Sequence, residues 1–318
     1  MTTLAQSVRR QVQGAPVFSA WMLFLTTLLV IGLIAGIQVL WFGLEVTNLT
    51  NTVPWGLWIT VDLSAIALGA GAFSLSTIVY IFRVKSFAPI ARIAVFVGFV
   101  GYTSAMLALV MDIGRPDRFW HPVVFWNVHS VLWEITMCVM FYSAVLIFEL
   151  GPAVLESEGV AKRFKRGPQI AHQMHRFTPA VSVVGLGLSL LHQSSLGATY
   201  GVLVARPIWF KPSLPVLFIL SAVAAGGTFT LGITVFYENM IGKRQITSRL
   251  RNQLAMFAGL MTLAYLYLKL WDYLATTYYS HLPARVESTN LLESTTPYGV
   301  TFWWLEIVVG RWCQPSFC

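Results

Sequence analysis

The amino-acid sequence predicts an all-α protein that crosses a membrane several times. Of its 318 residues, 56% are hydrophobic and 11% are charged, whereas about 25% of the residues in ordinary soluble domains are charged. The hydrophobic residues also form blocks long enough to cross a hydrocarbon layer of about 30 Å as helices. A soluble fold of this length could not bury so much apolar surface, so the composition excludes the soluble classes of protein.

Eight apolar segments are predicted to span the membrane, and several begin at or just after a proline, where a helix needs no backbone N–H. Their approximate limits are residues 17–44, 54–83, 88–112, 129–150, 178–202, 213–241, 250–276 and 297–310. The first segment follows Arg9 and Arg10, but it is too long for a cleaved signal peptide. We therefore expect a single integral membrane domain over residues 1–318.

The basic residues orient these spans. The N-terminus and the loops after spans 2, 4 and 6 hold 14 of the 21 Lys and Arg residues, and the opposite loops hold five. Because basic loops remain on the cytoplasmic side, the N-terminus is predicted to be cytoplasmic. The net charge of +8 is explained by this topology and by contact with lipid, so nucleic acid is not expected as a partner.

Aromatic residues concentrate on the opposite side. Ten of the 12 tryptophans fall at or near the predicted outer ends of spans. The outer connections 113–128, 203–212 and 277–296 are rich in Trp, Phe, Pro and His. An interfacial belt normally forms on both faces of a membrane, so the excess predicts that the outer surface also meets a partner protein or a ring-shaped ligand.

Three ionisable residues are expected at similar depth in the outer half of the membrane. At 1.5 Å per residue, Asp62 lies about 12 Å, Glu134 about 8 Å and His192 about 16 Å below the outer ends of spans 2, 4 and 5. Ionisable groups inside a membrane are costly and usually mark function. Neighbouring polar residues on spans 4 and 5 are Asn127, His129, Ser130, Gln193, Ser194 and Ser195. Together they predict a pocket that opens to the outside.

Each of these residues also has a purely structural interpretation. Asp62 and Glu134 could pair with neighbouring charges, and His192 could be a hydrogen-bonded core residue. Ser194 and Ser195 could donate to backbone carbonyls one turn earlier, as is common in membrane helices. The shared depth of the ionisable groups favours the pocket.

A quinone would fit such a pocket, because its two-electron reduction takes up two protons and requires protonatable groups near the carbonyl oxygens. A haem fits less well, since His192 is the one histidine predicted well inside a span and membrane haems are commonly held by two. The cysteines, Cys138, Cys313 and Cys318, lack CxxC spacing. We therefore expect no iron–sulfur cluster, haem or metal site in this protein.

The second half of the sequence has fewer polar residues within its spans. Lys269 and Asp272 are three residues apart on span 7 and can pair on one helix face. Glu238 lies near the inner end of span 6, and Glu306 lies within span 8. These four residues could line a proton path toward the pocket, although anchoring of helix ends is the favoured interpretation.

Three segments carry a resemblance to a known family. Residues 54–59 read PWGLWI and precede Asp62, residues 127–134 read NVHSVLWE, and residues 192–197 read HQSSLG. In these motifs the protein resembles the NrfD/PsrC superfamily, and within it the long branch that includes the membrane subunit of hydrogenase-2 (HybB) and DsrP. The resemblance extends over about residues 17–310.

The resemblance implies a quinone-reactive subunit of a respiratory oxidoreductase complex in the cytoplasmic membrane of a bacterium or archaeon. Such a subunit exchanges electrons between an iron–sulfur partner and menaquinone or ubiquinone, in some cases with proton translocation, and does not contain the catalytic centre. Its implied partners are a ferredoxin-like iron–sulfur subunit on the extracytoplasmic side and, beyond it, a catalytic subunit or a multihaem cytochrome. A secondary transporter and a passive anchor of a redox complex are the alternatives.

The resemblance also implies two four-helix bundles, with the quinone site in the first, formed by spans 2–5. Asp62 and His192 become the candidates for quinone contact and proton exchange. The residues implied to line the site are Trp58, Asn127, His129, Glu134, Ser194 and Ser195. The long branch has about ten spans, so the second bundle here is either truncated or belongs to a shortened variant.

Overall fold

The computed structural model describes residues 16–51, 53, 55–81, 87–113, 115–206, 208–241, 246–279, 290, 292–293 and 295–309. Seven helices in these ranges are long and apolar enough to cross a membrane, and the described ranges contain no strand. The seven are α1 (Pro16–Phe42), α2 (Leu57–Ile81), α3 (Ala88–Asp112), α4 (Val131–Leu155), α5 (Gly167–Gly201), α6 (Leu214–Ile241) and α7 (Ser248–Thr277). The predicted all-α polytopic membrane class is thereby confirmed.

The remaining elements are short. They are the 3₁₀ turns Leu44–Val46 and Pro116–Arg118 and the helices His121–Val124, Glu158–Arg163 and Pro297–Val300. The predicted eighth span begins at Pro297 with a helix of four residues, which continues as a π-helix of nine residues over Thr301–Val309. That is shorter than the roughly 20 residues that a membrane-crossing helix needs. Residues 310–318 lie outside the described part of the sequence.

Helix α5 differs most from its predicted span, because it begins at Gly167 rather than near residue 178. Pro168 lies in its first turn, where a missing N–H is tolerated, and Pro179 lies inside the helix. The added segment is polar and mostly exposed, so an apolar-run criterion does not detect it. The apolar part of α5 is therefore preceded by several polar helical turns.

The protein divides into two compact units. The first contains the described residues up to Ile59 together with Ala108–Phe119. Within it, Trp58 Nε1 donates a 2.7 Å hydrogen bond to Asp112 Oδ1. Gly36 of α1 faces Met111, since a Cβ at this glycine would lie 3.5 Å from Met111 Sδ.

The second unit contains Thr60–Leu107 and the described residues from Trp120 onward. Its main core joins α2, α3, α4 and α5, the helices of the predicted first bundle, with one contribution from α6. The buried members are Ile66, Ala70, Phe73, Tyr102, Ala105, Ile135, Val139, Tyr142, Val145, Leu146, Leu196 and Ala222. Burial of such side chains cannot come from water exclusion alone in a membrane, where close packing supplies the association energy.

A second cluster joins α2 and α3 to α6 and α7 within the same unit. Its buried members are Ala72, Leu75, Phe87, Ile90, Ala94, Val97, Leu231, Ile246, Leu250 and Leu254. The side chain of Thr247 caps α7 by accepting a hydrogen bond from the Leu250 backbone N–H at 3.3 Å. The first bundle and the helices that follow it are thus packed together through α2 and α3.

Glycine allows α2 and α6 to approach with their backbones in contact. A Cβ at Gly226 of α6 would lie 2.5 Å from Gly71 Cα and 2.5 Å from Ala72 N. A Cβ at Gly71 would lie 1.8 Å from the carbonyl oxygen of Ala222. These backbone atoms cannot move aside as the end of a flexible side chain could. Positions 71 and 226 therefore both require glycine for this contact.

We expect Gly226→Ala to destabilise the protein, because the added methyl group overpacks the α2–α6 contact at a cost of about 1–3 kcal/mol. Gly232→Ala on the same helix is the matched control, since no atom lies within 4 Å of its added Cβ. That control should leave stability unchanged or raise it by up to about 1 kcal/mol through helix propensity. Thermal unfolding midpoints in detergent test the pair, and equal midpoints would refute the backbone contact.

Candidate functional site

Helix α5 presents a buried polar face to the centre of the first bundle. His192 and Gln193 follow Ser189 by three and four residues, so all three side chains lie on one side of the helix. Their relative exposures are 1%, 0% and 2%. Full burial of three polar side chains inside a membrane protein requires a partner for each of them.

Two tyrosines from other helices meet this face. The Tyr102 ring of α3 lies 5.7 Å from the His192 ring and 4.0 Å from the Tyr142 ring of α4, between ring centres. Both tyrosines are fully buried. Asp62 of α2, with 5% exposure, lies within electrostatic range of the Tyr102 phenol. Four helices therefore bring a carboxyl, two phenols and an imidazole into one cluster.

Many polar atoms of this cluster have no hydrogen-bond partner among the described residues. Six buried atoms of the cluster have no hydrogen-bond partner among the described residues: Tyr102 Oη, Tyr142 Oη, Ser189 Oγ, Gln193 Nε2 and both ring nitrogens of His192. Ser189 Oγ lies close to both phenol oxygens, but the three hydroxyls do not reach hydrogen-bonding geometry. An unsatisfied buried group costs about 1–3 kcal/mol, so a cluster of them indicates a site that a polar ligand completes.

Glu134 and Ser195 form a hydrogen-bonded pair between α4 and α5. Ser195 Oγ lies 2.8 Å from Glu134 Oε1 and 2.8 Å from the Leu191 carbonyl oxygen. A hydroxyl has one hydrogen to donate, and Ser194 already donates to the same Leu191 carbonyl at 2.8 Å. The Ser195 hydroxyl can thus donate to Glu134 or to the Leu191 carbonyl, whereas Ser194 has the backbone-bonding role that its structural interpretation predicts.

Three other predicted lining residues are exposed or make different contacts. Asn127 and His129 are exposed in the loop that precedes α4. There the Ser130 side chain accepts a hydrogen bond from Trp133 N at 3.4 Å and caps the helix. Trp58 belongs to the first unit, where it bonds to Asp112. Their role in a ligand site remains a prediction.

Glu238 of α6 is engaged at the end of its helix. Its carboxylate accepts hydrogen bonds from Arg251 Nη2 and from the Ile246 backbone N–H, each at 2.7 Å. The Arg251 and Glu238 side chains are 29% and 4% exposed. The pair connects α6 to α7, which favours the anchoring interpretation of Glu238 over a proton path.

Asp272 of α7 is engaged in a similar way. It accepts hydrogen bonds from Lys211 Nζ at 2.5 Å and from Ser213 Oγ at 3.2 Å. The Lys269 ammonium lies 5.4 Å from the centre of the Phe302 ring, in cation–π range. The Glu306 side chain lies outside the described part of the structure.

Tyr102, Tyr142 and Ser189 were not among the residues predicted from the sequence. Tyrosine counts as hydrophobic in a span, and a serine carries no charge that would mark it. One signal was available: Tyr102 and Tyr142 each place a phenol hydroxyl within a predicted span. A buried tyrosine usually finds a hydrogen-bond partner, so a mid-span tyrosine is a reason to look for one.

The arrangement can bind and protonate a flat polar ligand. Imidazole, phenol and carboxyl groups all donate or accept hydrogen bonds and can exchange protons. The aromatic rings of Tyr102, Tyr142 and Phe73 provide an apolar surface beside them. Within the described residues, no group of three or more His, Cys, Asp or Glu side chains could hold a metal ion.

Comparison with known proteins assigns the sequence to a family. The family described as "Polysulphide reductase, NrfD" matches residues 45–314. The protein belongs to the NrfD family. The match includes α2 to α7 and therefore all of the buried cluster.

This NrfD-family protein is similar to membrane subunits from several different organisms. The "Menaquinone reductase, integral membrane subunit" of Nitratidesulfovibrio vulgaris is 37% identical over 91% of this protein and 70% of the relative. The "Probable Ni/Fe-hydrogenase 2 b-type cytochrome subunit" of Escherichia coli is 28% identical over 72% of this protein and 57% of the relative. The "Hdr-like menaquinol oxidoreductase integral membrane subunit" of Archaeoglobus fulgidus is 26% identical over 83% of this protein and 62% of the relative. The match thus extends over less than two thirds of the last two relatives.

We expect Tyr102→Phe to raise the unfolding midpoint of the purified NrfD-family protein, because it removes a buried hydroxyl that lacks a partner. The expected gain is about 1 kcal/mol. Ser195→Ala is the comparison variant. It deletes a hydroxyl that donates a hydrogen bond to Glu134, so it should lower the unfolding midpoint by a similar amount. Thermal unfolding in detergent measures both. Equal losses in the two variants would mean that the Tyr102 hydroxyl is satisfied by the protein.

Proposed function

We propose that this protein is the quinone-reactive membrane subunit of a respiratory oxidoreductase complex. The observation that carries the proposal is the buried cluster around His192, whose phenol, imidazole and amide atoms lack partners within the described residues. A relative that is 37% identical over 91% of this protein is a menaquinone reductase subunit. Both facts support a quinone as the ligand that completes the cluster, and the relative favours menaquinone over ubiquinone.

In the proposed reaction, a quinone gains two electrons and two protons, or its quinol loses them. Asp62 and His192 exchange the protons at the two carbonyl oxygens, and Tyr102, which is close to both, holds the ring between them. Glu134 and Ser195 fix α4 against α5 beside the ring. Asn127, His129 and Ser194 are assigned to the entrance of the site, in keeping with the sequence motifs that contain them.

The electrons are proposed to come from an iron–sulfur partner on the outer face. The three relatives are subunits of a reductase, a hydrogenase and an oxidoreductase, which supports assembly with further subunits. The segment before α4 offers a docking surface, since Trp120, Phe125 and Trp126 are 44%, 62% and 68% exposed. Exposed aromatic side chains of this kind commonly dominate protein interfaces.

The orientation follows from charge. Basic residues concentrate in the N-terminus and in the loops after spans 2, 4 and 6, which supports a cytoplasmic N-terminus. The docking surface and the Glu134 end of α4 then face the outside of the cytoplasmic membrane. In the second half, the ion pairs of Glu238 and Asp272 favour a structural role, so the proposed chemistry is confined to the first bundle.

We expect Asp62→Asn to lower quinone-coupled turnover of the assembled complex on the order of 10²-fold, because the amide keeps size and polarity but cannot exchange a proton. His192→Gln should act similarly and should also weaken binding of a quinone-analogue inhibitor. Reduction of an artificial dye by the partner subunits should be unchanged in both. Glu158→Gln, which alters an exposed carboxylate paired with Lys162, is the control.

Steady-state turnover with a short-chain naphthoquinone, compared with dye reduction on the same sample, separates the proposal from its alternatives. If a double Asp62→Asn, His192→Gln variant still turned over quinone at the wild-type rate, the result would favour the alternative that the protein is a passive anchor. Substrate uptake into liposomes by the protein alone would instead favour a transporter.

We also expect a photo-crosslinking residue at position 125 or 126 to capture an iron–sulfur protein of the same complex, because those side chains lie at the proposed interface. The same residue at Phe236, which is 65% exposed on α6, should capture lipid and no such protein. Mass spectrometry identifies the products. Capture of cytoplasmic proteins alone from positions 125 and 126 would contradict both the docking surface and the orientation.

A further inference from the structure

The connection between α4 and α5 carries an excess of positive charge. Four of its cationic side chains are exposed and form no ion pair with the described residues, namely Arg163, Lys165, Arg166 and Arg176. Its two carboxylates are engaged with other side chains: Glu156 lies 3.0 Å from His175, and Glu158 lies 4.0 Å from Lys162. We call residues 156–177 the basic connection. Its four cations are available to an anionic partner.

Exposed apolar side chains lie among these charges. Phe164, Ile170 and Phe177 are 44%, 39% and 59% exposed. Arg166, Ile170 and Phe177 follow one another at intervals of four and seven residues, which places them on one side of α5. A surface that combines apolar and cationic side chains is typical of helices in the membrane interface, where the apolar side chains enter the acyl boundary and the cations meet the headgroups.

A contact with α4 indicates the depth of this surface. A Cβ at Gly167, the first residue of α5, would lie 3.1 Å from the Leu155 carbonyl oxygen at the end of α4. Leu155 lies five residues beyond the predicted inner end of span 4, or about 8 Å. The polar headgroups extend the bilayer by about 5–8 Å on each side of the hydrocarbon layer. The start of α5 therefore lies at the level of the headgroups.

The length of α5 agrees with this depth if the helix leans toward the membrane plane. Gly167 precedes residue 178, the predicted inner end of span 5, by 11 residues, or about 16 Å along the helix. That is twice the depth measured along α4. Pro179 lies inside α5, and a proline within a helix removes a backbone hydrogen bond and permits a bend. The leaning segment presents its exposed side to the membrane surface.

Two classes of partner would neutralise the basic connection, namely anionic lipids and an acidic cytoplasmic protein. Both would be attracted by the four cations. The headgroup depth and the exposed Phe164, Ile170 and Phe177 side chains are explained by lipid alone, since a soluble protein needs neither. Clusters of four or more Lys and Arg residues next to a membrane helix on its cytoplasmic side are also typical of binding to anionic lipid.

We propose that the basic connection binds anionic phospholipids of the cytoplasmic leaflet, in the orientation described above. The four cations contact lipid phosphates, and the three apolar side chains pack against the adjoining glycerol and acyl groups. Bound lipid thereby fixes the inner ends of α4 and α5. The inference goes beyond the quinone reaction and is tested independently of it, because it concerns the opposite end of the helices that hold the His192 cluster.

The test uses the purified protein in detergent. It is titrated with a phosphatidylglycerol and, separately, with a phosphatidylcholine that has the same acyl chains, and native mass spectrometry measures both affinities. We expect the wild type to bind phosphatidylglycerol on the order of 10²-fold more tightly. Arg166→Gln combined with Arg176→Gln should lower the affinity for phosphatidylglycerol about 30-fold, the equivalent of about 1 kcal/mol for each residue, and should leave the affinity for phosphatidylcholine unchanged.

Arg115→Gln combined with Arg118→Gln is the matched control. It removes the same charge from exposed side chains that lie beside Asp117, in a connection predicted on the outer face, so it should keep the wild-type preference. Arg166 and Arg176 are exposed, so their double variant should unfold at the wild-type midpoint in lipid-free detergent. A loss of affinity at an unchanged midpoint assigns the effect to lipid contact.

A photo-crosslinking residue at position 170 identifies the partner in intact membranes. We expect it to capture phospholipid. Capture of cytoplasmic proteins alone would overturn the inference and assign the basic connection to an acidic protein. Equal wild-type affinities for the two lipids, or wild-type affinity for phosphatidylglycerol in the Arg166→Gln, Arg176→Gln variant, would overturn it as well.

Discussion

The hydrocarbon layer provides no hydrogen-bond partner, and this constraint determines how the first bundle is built. Every polar side chain on α2 to α5 has to be satisfied by another helix or by a ligand. Ser195 and Glu134 satisfy each other, as do Ser182 and one oxygen of Glu149. The groups around His192 do not. The unsatisfied cluster is therefore a local cost in stability, and binding of a polar ring would recover it.

Close packing keeps that cluster in place. The α2 and α6 backbones touch at Gly71 and Gly226, and aromatic side chains fill the space between α2, α3 and α4. Since packed helices cannot slide without opening cavities, the phenol and imidazole groups are held apart from partners that they would otherwise reach. Such preorganisation is typical of a functional site, where stability is given up for chemistry.

Buried carboxylates have different kinds of hydrogen-bond partner in the two halves of the sequence. Glu238 and Asp272 are paired with Arg251 and Lys211, so their buried charges are neutralised within the protein. In the first bundle the carboxyls of Glu134 and Glu149 are bonded to serine hydroxyls, which carry no compensating charge. A carboxyl in that setting can gain or lose a proton without breaking an ion pair.

The sequence alone determined the membrane class and the approximate limits of most of the long helices, and it predicts a similar depth for Asp62, Glu134 and His192. Hydrophobic block length and the fixed helical rise control these properties, and both can be counted along the sequence. The tertiary structure decided which side chains meet. Tyr102 and His192 are far apart in sequence, and Asp272 bonds to Lys211, 61 residues away. Such contacts depend on the rotation of each helix and on its neighbours, which no local pattern encodes.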